Sequence, residues 1–322
     1  MKLPKELLEV ERKTVETVNL PSDNNHDPSN ILYDQGTYYL WYTQHDNERP
    51  YDHFADCKIM CCTSKDGIHW EEGKDALLPA ESGWDCAGVL TANVIHDKGR
   101  FYMFYTGVGT DFAEGKTTRR CCGLAAADTP DGPFERLGNE PVLQWEEEGS
   151  WDDEAVDDIS AVFFQNRWLV YFKGSRLTEP DGDKTMLGLA WADTITGPYH
   201  RYEGNPVIRG HAFSIWPYKE GLCLLSGLKH REGEGRIYGD NWNDPEGIQY
   251  LYYSEDGIHF EPCAPFPNRA SGIFIPEGED QKDITKYWGV SVATADAHKK
   301  RYIERFDFIK KNPQTKSEAK RS

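Results

Sequence analysis

Polar and apolar positions alternate with period two along most of the chain, and helical periodicity is confined to the first twenty residues. The stretch HDPSNILYDQGTYYLWYT, residues 26 to 43, shows the unit. Tyr38, Leu40 and Tyr42 alternate with Tyr39, Trp41 and Thr43 after a turn at Asp34-Gln35-Gly36, which predicts a β-hairpin. Comparable hairpins are predicted in TANVIHDKGRFYMFYTG (91–107), ISAVFFQNRWLVYFKG (159–174) and FSIWPYKEGLCLLSG (213–227). A fifth, less regular, unit runs from SGIFIPEGED into KYWGVSVATAD.

The first four hairpins are each followed by a polar turn, a glycine and an aromatic: SKDGIHW, DTPDGPF, DTITGPY and SEDGIHF. Their glycines, Gly67, Gly132, Gly197 and Gly257, are separated by 65, 65 and 60 residues. That period suits one four-stranded sheet, and five such units arranged radially make an all-β, five-bladed β-propeller. A β-sandwich would not produce the repeat. SKDGIHW is similar to the Asp box of sialidases but lacks the residue between its Asp and Gly, so a turn between outer strands suffices for it. The expected organisation is an N-terminal helical extension (1–20), the propeller (21–309) and a polar, basic, disordered tail (310–322). Residues 3–18 are predicted as an amphipathic helix, with Leu7, Leu8, Val15 and Val18 on or near one side.

Composition narrows the partners. The 322 residues include 10 Trp and 17 Tyr, enough ring area for a core despite 38% hydrophobic content. A net charge of −18 argues against nucleic acid or an anionic membrane as partner. The eight cysteines include two vicinal pairs in apolar runs and no CxxC spacing, so reduced, buried thiols are expected and no metal ligands are assigned. No apolar run reaches the length of a membrane span and the N-terminus lacks a signal-peptide core, so the chain as written reads as cytoplasmic. A periplasmic or secreted protein stripped of its leader would look the same.

Superposing the hairpins on their turns places Asp27, Leu90, Asp157 and Ala212 at one end of the innermost strands. Two acids on non-adjacent blades then meet at a channel mouth, with His26 and His211 beside them and Asp158 as a supporting neighbour of Asp157. Long loops (QHDNERPYDHFADC and GVGTDFAEGKTTRR) are expected around that mouth. Asp27 alone is equally well explained as an Asx turn opening a strand. Paired carboxylates across a pocket are the machinery of glycoside cleavage, one activating water while another group protonates the leaving oxygen. Trp41, Trp84, Trp216 and Tyr218 offer ring faces for sugars, although Trp41, inside a strand, reads better as core. Lys173 is placed at the mouth by the same alignment, and Thr91, in GVLTANVI, is taken as a further substrate contact.

The stretches HDPSNILYDQGTYYLWYT, GVLTANVI, VDDISAVFF, GPYHRYEGNPVI and GHAFSIWP together resemble glycoside hydrolase family 117, over about residues 20 to 260. A looser kinship joins these to the family 43 propellers. The resemblance implies an exo-acting, inverting glycosidase that removes 3,6-anhydro-L-galactose, or a related sugar, from algal or other oligosaccharides. It implies Asp27 as general base, Asp157 as the acid that orients substrate and His211 as general acid. The family's third acid follows that histidine, where this chain has Ala212; Glu154, Glu246 and Glu277 are candidate substitutes. It also implies dimerisation through the N-terminal segment, so a homodimer is open. No cofactor is required, and a structural or active-site divalent cation is compatible with the fold. Two rival readings are a non-catalytic carbohydrate-binding propeller, favoured by Ala212, and a glycoside phosphorylase using Lys173 and Arg176 for phosphate.

Overall fold

Runs rich in β-branched and aromatic residues become strands, and turns carrying Gly, Asp or Asn separate them. The structure, a computed structural model, describes residues 2–18, 25–45, 56–109, 119–176, 185–226, 231–232, 235–236, 250–266, 271–295 and 300–311. Among these the architecture is nearly all-β, with one short α-helix, Lys5–Leu8. Each predicted hairpin opens an antiparallel meander of four strands. The first comprises Ile31–Asp34, Thr37–Gln44, Lys58–Ser64 and Lys74–Leu77. The second comprises Gly88–Asp97, Arg100–Val108, Arg120–Ala127 and Glu135–Arg136. The third comprises Ala155–Phe164, Arg167–Ser175, Met186–Ala192 and His200–Arg201. The fourth comprises Phe213–Tyr218, Gly221–Ser226, Tyr250–Ser254 and Glu261–Pro265. The last is Ser271–Phe274, Trp288–Ala295 and Lys300–Lys310, completed by Val10–Val18 from the other end of the chain.

The leading hairpins of successive meanders touch in chain order, and Ser271–Phe274 returns to Ile31–Asp34 through a parallel pairing of Phe274 with Ile31. Asparagines stitch the seams. Asn30 Nδ2 donates to Val94 O (2.7 Å) and Asn30 Oδ1 accepts from Val94 N–H (2.9 Å). One meander further on, Asn93 Oδ1 accepts from Ala161 N–H (3.0 Å). Each amide satisfies backbone groups on the neighbouring strand where no ladder runs. Apolar side chains fill the space between sheets; Trp41, fully buried, packs with Val94, Met103 and Phe134.

The N-terminal segment corrects the sequence expectation. Only Lys5–Leu8 is helical, and Val10–Val18 is a strand paired antiparallel with Lys300–Lys310. Five of its nine residues, Val10, Thr14, Val15, Thr17 and Val18, are β-branched and disfavour a helix. Pairing also covers what would be an open sheet edge. Arg12 lies over the Phe306 ring at 4.2 Å and pairs with Glu304, tying the two ends of the chain together. The expected tail falls, from residue 312 on, outside the described residues.

The repeated SxDGIH motif is a turn between outer strands, as its residues suggest. Ser64 Oγ accepts from Gly67 N–H (2.9 Å) and Asp66 Oδ1 from Ile68 and His69 N–H (2.8 Å each). The same bonds recur at Ser254, Asp256 and His259. A second repeat was not legible beforehand. Trp84-Asp85 and Trp151-Asp152 precede the second and third leading strands, and each Trp stacks on the ring of its own sheet, Tyr105 or Phe172, at 5.7 Å. Arg136 and Arg201 hold the two aspartates at 2.6 Å.

Gly107 and Gly174 admit these indoles. A Cβ on Gly174 would lie 2.3 Å from the Trp151 ring and 2.6 Å from Asp152 Cβ. Overpacking at such a site costs about 1–3 kcal/mol. Gly174→Ala is therefore expected to lower the urea midpoint while leaving the denaturant slope unchanged. A midpoint equal to wild type would show that Trp151 moves freely.

Candidate active site

One cavity is lined by the starts of four leading strands. Asp27, Thr91, Asp158 and Ala212 come from the first to fourth meanders, with Trp216, Ile273 and Ile275 among the remaining walls. The local backbone explains the first three. Asp27, Thr91 and Asp158 all adopt left-handed conformations, with φ of 49°, 52° and 48°. Such backbone is strained for residues other than glycine and persists where surrounding contacts fix it. Register shifts mark the spots: they fall between Leu90 and Asn93 and between Asp157 and Ser160. The neighbouring sheet then clamps the strained residue. Thr91 N–H donates to Thr43 Oγ1 (3.0 Å) and Asp158 N–H to Thr106 Oγ1 (3.3 Å).

The first meander takes up two extra residues at this point, between His26 opposite Thr43 and Ile31 opposite Leu40, where the second and third take up one, which shifts the sequence-based ring by one residue. The structural counterparts of Asp27 are Thr91 and Asp158; those of Leu90 and Asp157 sit one position earlier, opposite the second strand. Asp158 rather than Asp157 therefore lines the cavity. Asp157 is buried behind it, with Arg120 Nε at 2.5 Å from Oδ2 and Lys173 Nζ at 3.1 Å from Oδ1. Lys173 Nζ also binds Asp158 Oδ2 at 2.5 Å.

The two neighbouring acids are driven apart. For Asp157, burial opposes ionisation, but Lys173 and Arg120 together hold the carboxyl below its usual range. For Asp158, burial, with Asp157 and Asp27 nearby, outweighs Lys173 and pushes the carboxyl up to about 6. Adjacent carboxyls with opposed shifts are a frequent mark of divided acid–base roles.

The other expected site residues divide clearly. Thr91 lines the cavity, its hydroxyl 2.5 Å from that of Thr106. His26 is buried behind Asp27, with its Nδ1 hydrogen-bonded to Asp27 Oδ2, and is not among the lining residues. Trp84 belongs to the sheet-packing repeat, its ring stacked on Tyr105 and its Nε1 donating to Asn139 O, and is not among the lining residues. Trp216 lines the cavity, but only 1% of it is exposed, and its ring packs with Tyr287 and Phe308. It is a wall rather than a stacking platform. Tyr218 is likewise buried, its hydroxyl bonded to Glu6.

Lys173 is committed to the two aspartates. Arg176 donates to Ser150 O and Gly149 O, so neither cation is arranged for phosphate. His211 stands beside Ala212, with Nδ1 3.2 Å from Thr185 Oγ1, and is not itself among the lining residues. Asp27 and Asp158 are the carboxylates among the described lining residues; Glu154 and Glu277 lie elsewhere, and Glu246 falls outside the described residues. Most of the two long loops falls outside them as well. All eight cysteines are thiols without a disulfide, and six are buried.

The profile of glycosyl hydrolases family 43 matches residues 20–287, the span that contains the first four leading hairpins and the first strand of the fifth. The chain belongs to that family. It is similar to a family 117 glycoside hydrolase from the marine bacterium Zobellia galactanivorans. That structure superposes with a TM-score of 0.76 at 23% identity, over 94% of this chain and 91% of the other. An endo-arabinase from Bacteroides thetaiotaomicron matches over 92% of this chain and 99% of the other, with a TM-score of 0.58 and 16% identity. A probable sucrose-6-phosphate hydrolase of Vibrio cholerae is 30% identical over 156 residues, 47% of this chain and 26% of that protein. The aligned part of the family 43 protein thus covers about a quarter of the curated relatives' length. No described helix is long and apolar enough to cross a membrane.

Proposed function

We propose that this family 43 protein is an exo-acting, inverting glycoside hydrolase on a five-bladed β-propeller. The ring reading is supported by the cyclic contacts of the leading hairpins and the parallel return of Phe274 to Ile31. The catalytic reading rests on one observation: Asp27 and Asp158, from non-adjacent meanders, line a single cavity. Asp27, held by His26, serves as the base that activates water. Asp158, protonated at mildly acidic pH, donates the proton to the departing oxygen, in place of the acid missing at Ala212. Asp157 acts indirectly, anchoring Lys173 and Arg120 behind the wall. The substrate is an oligosaccharide ending in 3,6-anhydro-L-galactose or a related sugar.

The test is release of monosaccharide from a panel of agar-, arabinan- and fructan-derived oligosaccharides, with the first-formed anomer read by proton NMR. Inverted product from one series supports the proposal. Binding without turnover across all series would favour a carbohydrate-binding role, for which Ala212 is the specific argument. Phosphate-dependent turnover would instead favour a phosphorylase.

His211 is the second candidate donor, since it flanks Ala212 and imidazole titrates near neutrality. Leaving groups separate the two. With Asp158 as donor, His211→Ala lowers turnover by less than about tenfold on natural and activated aryl glycosides alike. A loss of about 10²-fold or more, confined to the poor leaving group, would move the role to His211.

A further inference from the structure

Behind Asp27 lies a cluster of which the proposed reaction uses only His26. His26 ends the short strand Asn25–His26, His45 follows the strand Thr37–Gln44, and Cys57 precedes Lys58–Ser64. Gln44 pairs with Lys58, so register carries His45 and Cys57 to opposed positions. His26, paired with Thr43, approaches from the other side. All three side chains are buried, and one donor atom from each lies within 4.8 Å of the other two.

Their spacing suits a tetrahedral ion. Zinc–sulfur and zinc–nitrogen bonds of about 2.3 and 2.0–2.1 Å at a tetrahedral angle put sulfur about 3.6 Å from nitrogen. Cys57 Sγ and His45 Nδ1 are 3.6 Å apart, and the two imidazoles have centroids 4.4 Å apart, tilted by 46°. The Nδ1 of His26 is engaged by Asp27, so an ion would be met by its Nε2, which is buried. A carboxylate on the far nitrogen of a ligating histidine is the usual outer partner of such sites.

We propose that His26, His45 and Cys57 bind one divalent transition-metal ion, zinc by the softness of the thiolate and the borderline imidazoles. The ion would link Asp27, through His26, to the strands Thr37–Gln44 and Lys58–Ser64. The site does not depend on the assignment of Asp27 as a base. The rival explanation is a metal-free Cys57–His45 hydrogen bond.

The experiment uses the full chain, stripped with chelator and titrated with Co²⁺ or Zn²⁺. The expected result is one equivalent of Co²⁺ bound with a near-ultraviolet thiolate-to-metal charge-transfer band, competed away by Zn²⁺. Cys57→Ser loses that band, and His45→Gln, which spares the thiol, weakens Co²⁺ binding more than about tenfold. Circular dichroism of each variant reports its fold. Absence of the band in the wild-type chain overturns the proposal whatever the variants do, and so does its persistence in folded Cys57→Ser.

Discussion

Asp27→Asn is expected to lower kcat by about 10²–10⁴-fold, with KM changed little and the fold retained. The substitution is nearly isosteric and removes only the capacity to take a proton from water. Two local features protect the structure. The left-handed backbone at φ 49° suits asparagine at least as well as aspartate. The amide oxygen can still accept the hydrogen bond from His26 Nδ1 that the carboxylate accepts. Thermal unfolding should therefore shift little while turnover collapses, which separates chemistry from stability. Turnover within tenfold of wild type, on a substrate that the wild-type enzyme cleaves, would remove Asp27 from the role of base.

The leading hairpins were legible because each carries an alternating strand pair across a turn of fixed chemistry, and the SxDGIH turns because their bonds are local. Asp27 was legible because an acid followed by proline opens a strand that needs neither. The second acid that lines the cavity, Asp158, stands one residue after the one expected there, for a physical reason. Asp27 stands nine residues before Gly36, whereas Thr91 and Asp158 stand eight before Gly99 and Asn166. Against its second strand the first meander takes up two extra residues here and the second and third only one, and such insertions leave the hydrophobic alternation further along unaltered, so counting from the turn cannot detect the difference. The N-terminal strand was read as a helix because four apolar positions in a short segment fit either period, and its partner lies some 290 residues away. Trp84 and Trp216 showed only that large rings were present; which faces are covered depends on Tyr105, Tyr287 and Phe308. The cluster of His26, His45 and Cys57 has no motif spacing, because sheet register sets it.

The basic limb of the pH–rate profile is expected to bend near pH 6, and Lys173 is expected to set where. Asp158 must be protonated to donate, so kcat/KM is full below its folded pKa of about 6 and falls tenfold per pH unit above it. Asp158→Asn should remove that limb together with most of the activity on poor leaving groups. Lys173→Met removes the cation that opposes burial, Asp157 and Asp27 at this carboxyl, so the limb should move to higher pH. Stability follows the same linkage. The folded pKa of Asp158 already exceeds the unfolded value of about 3.9, and the variant raises it further, so stability is lost as pH rises through that range. At pH 8 the variant leaves an ionised, half-buried Asp158 without its partner, a loss below the roughly 3–5 kcal/mol of a fully buried pair. At pH 5 Asp158 carries its proton and the loss shrinks, while Arg120 still holds Asp157. Urea unfolding at both pH values measures the difference. A limb that stays in place in a folded Lys173→Met enzyme would show that another group supplies the proton, with His211 the next to test.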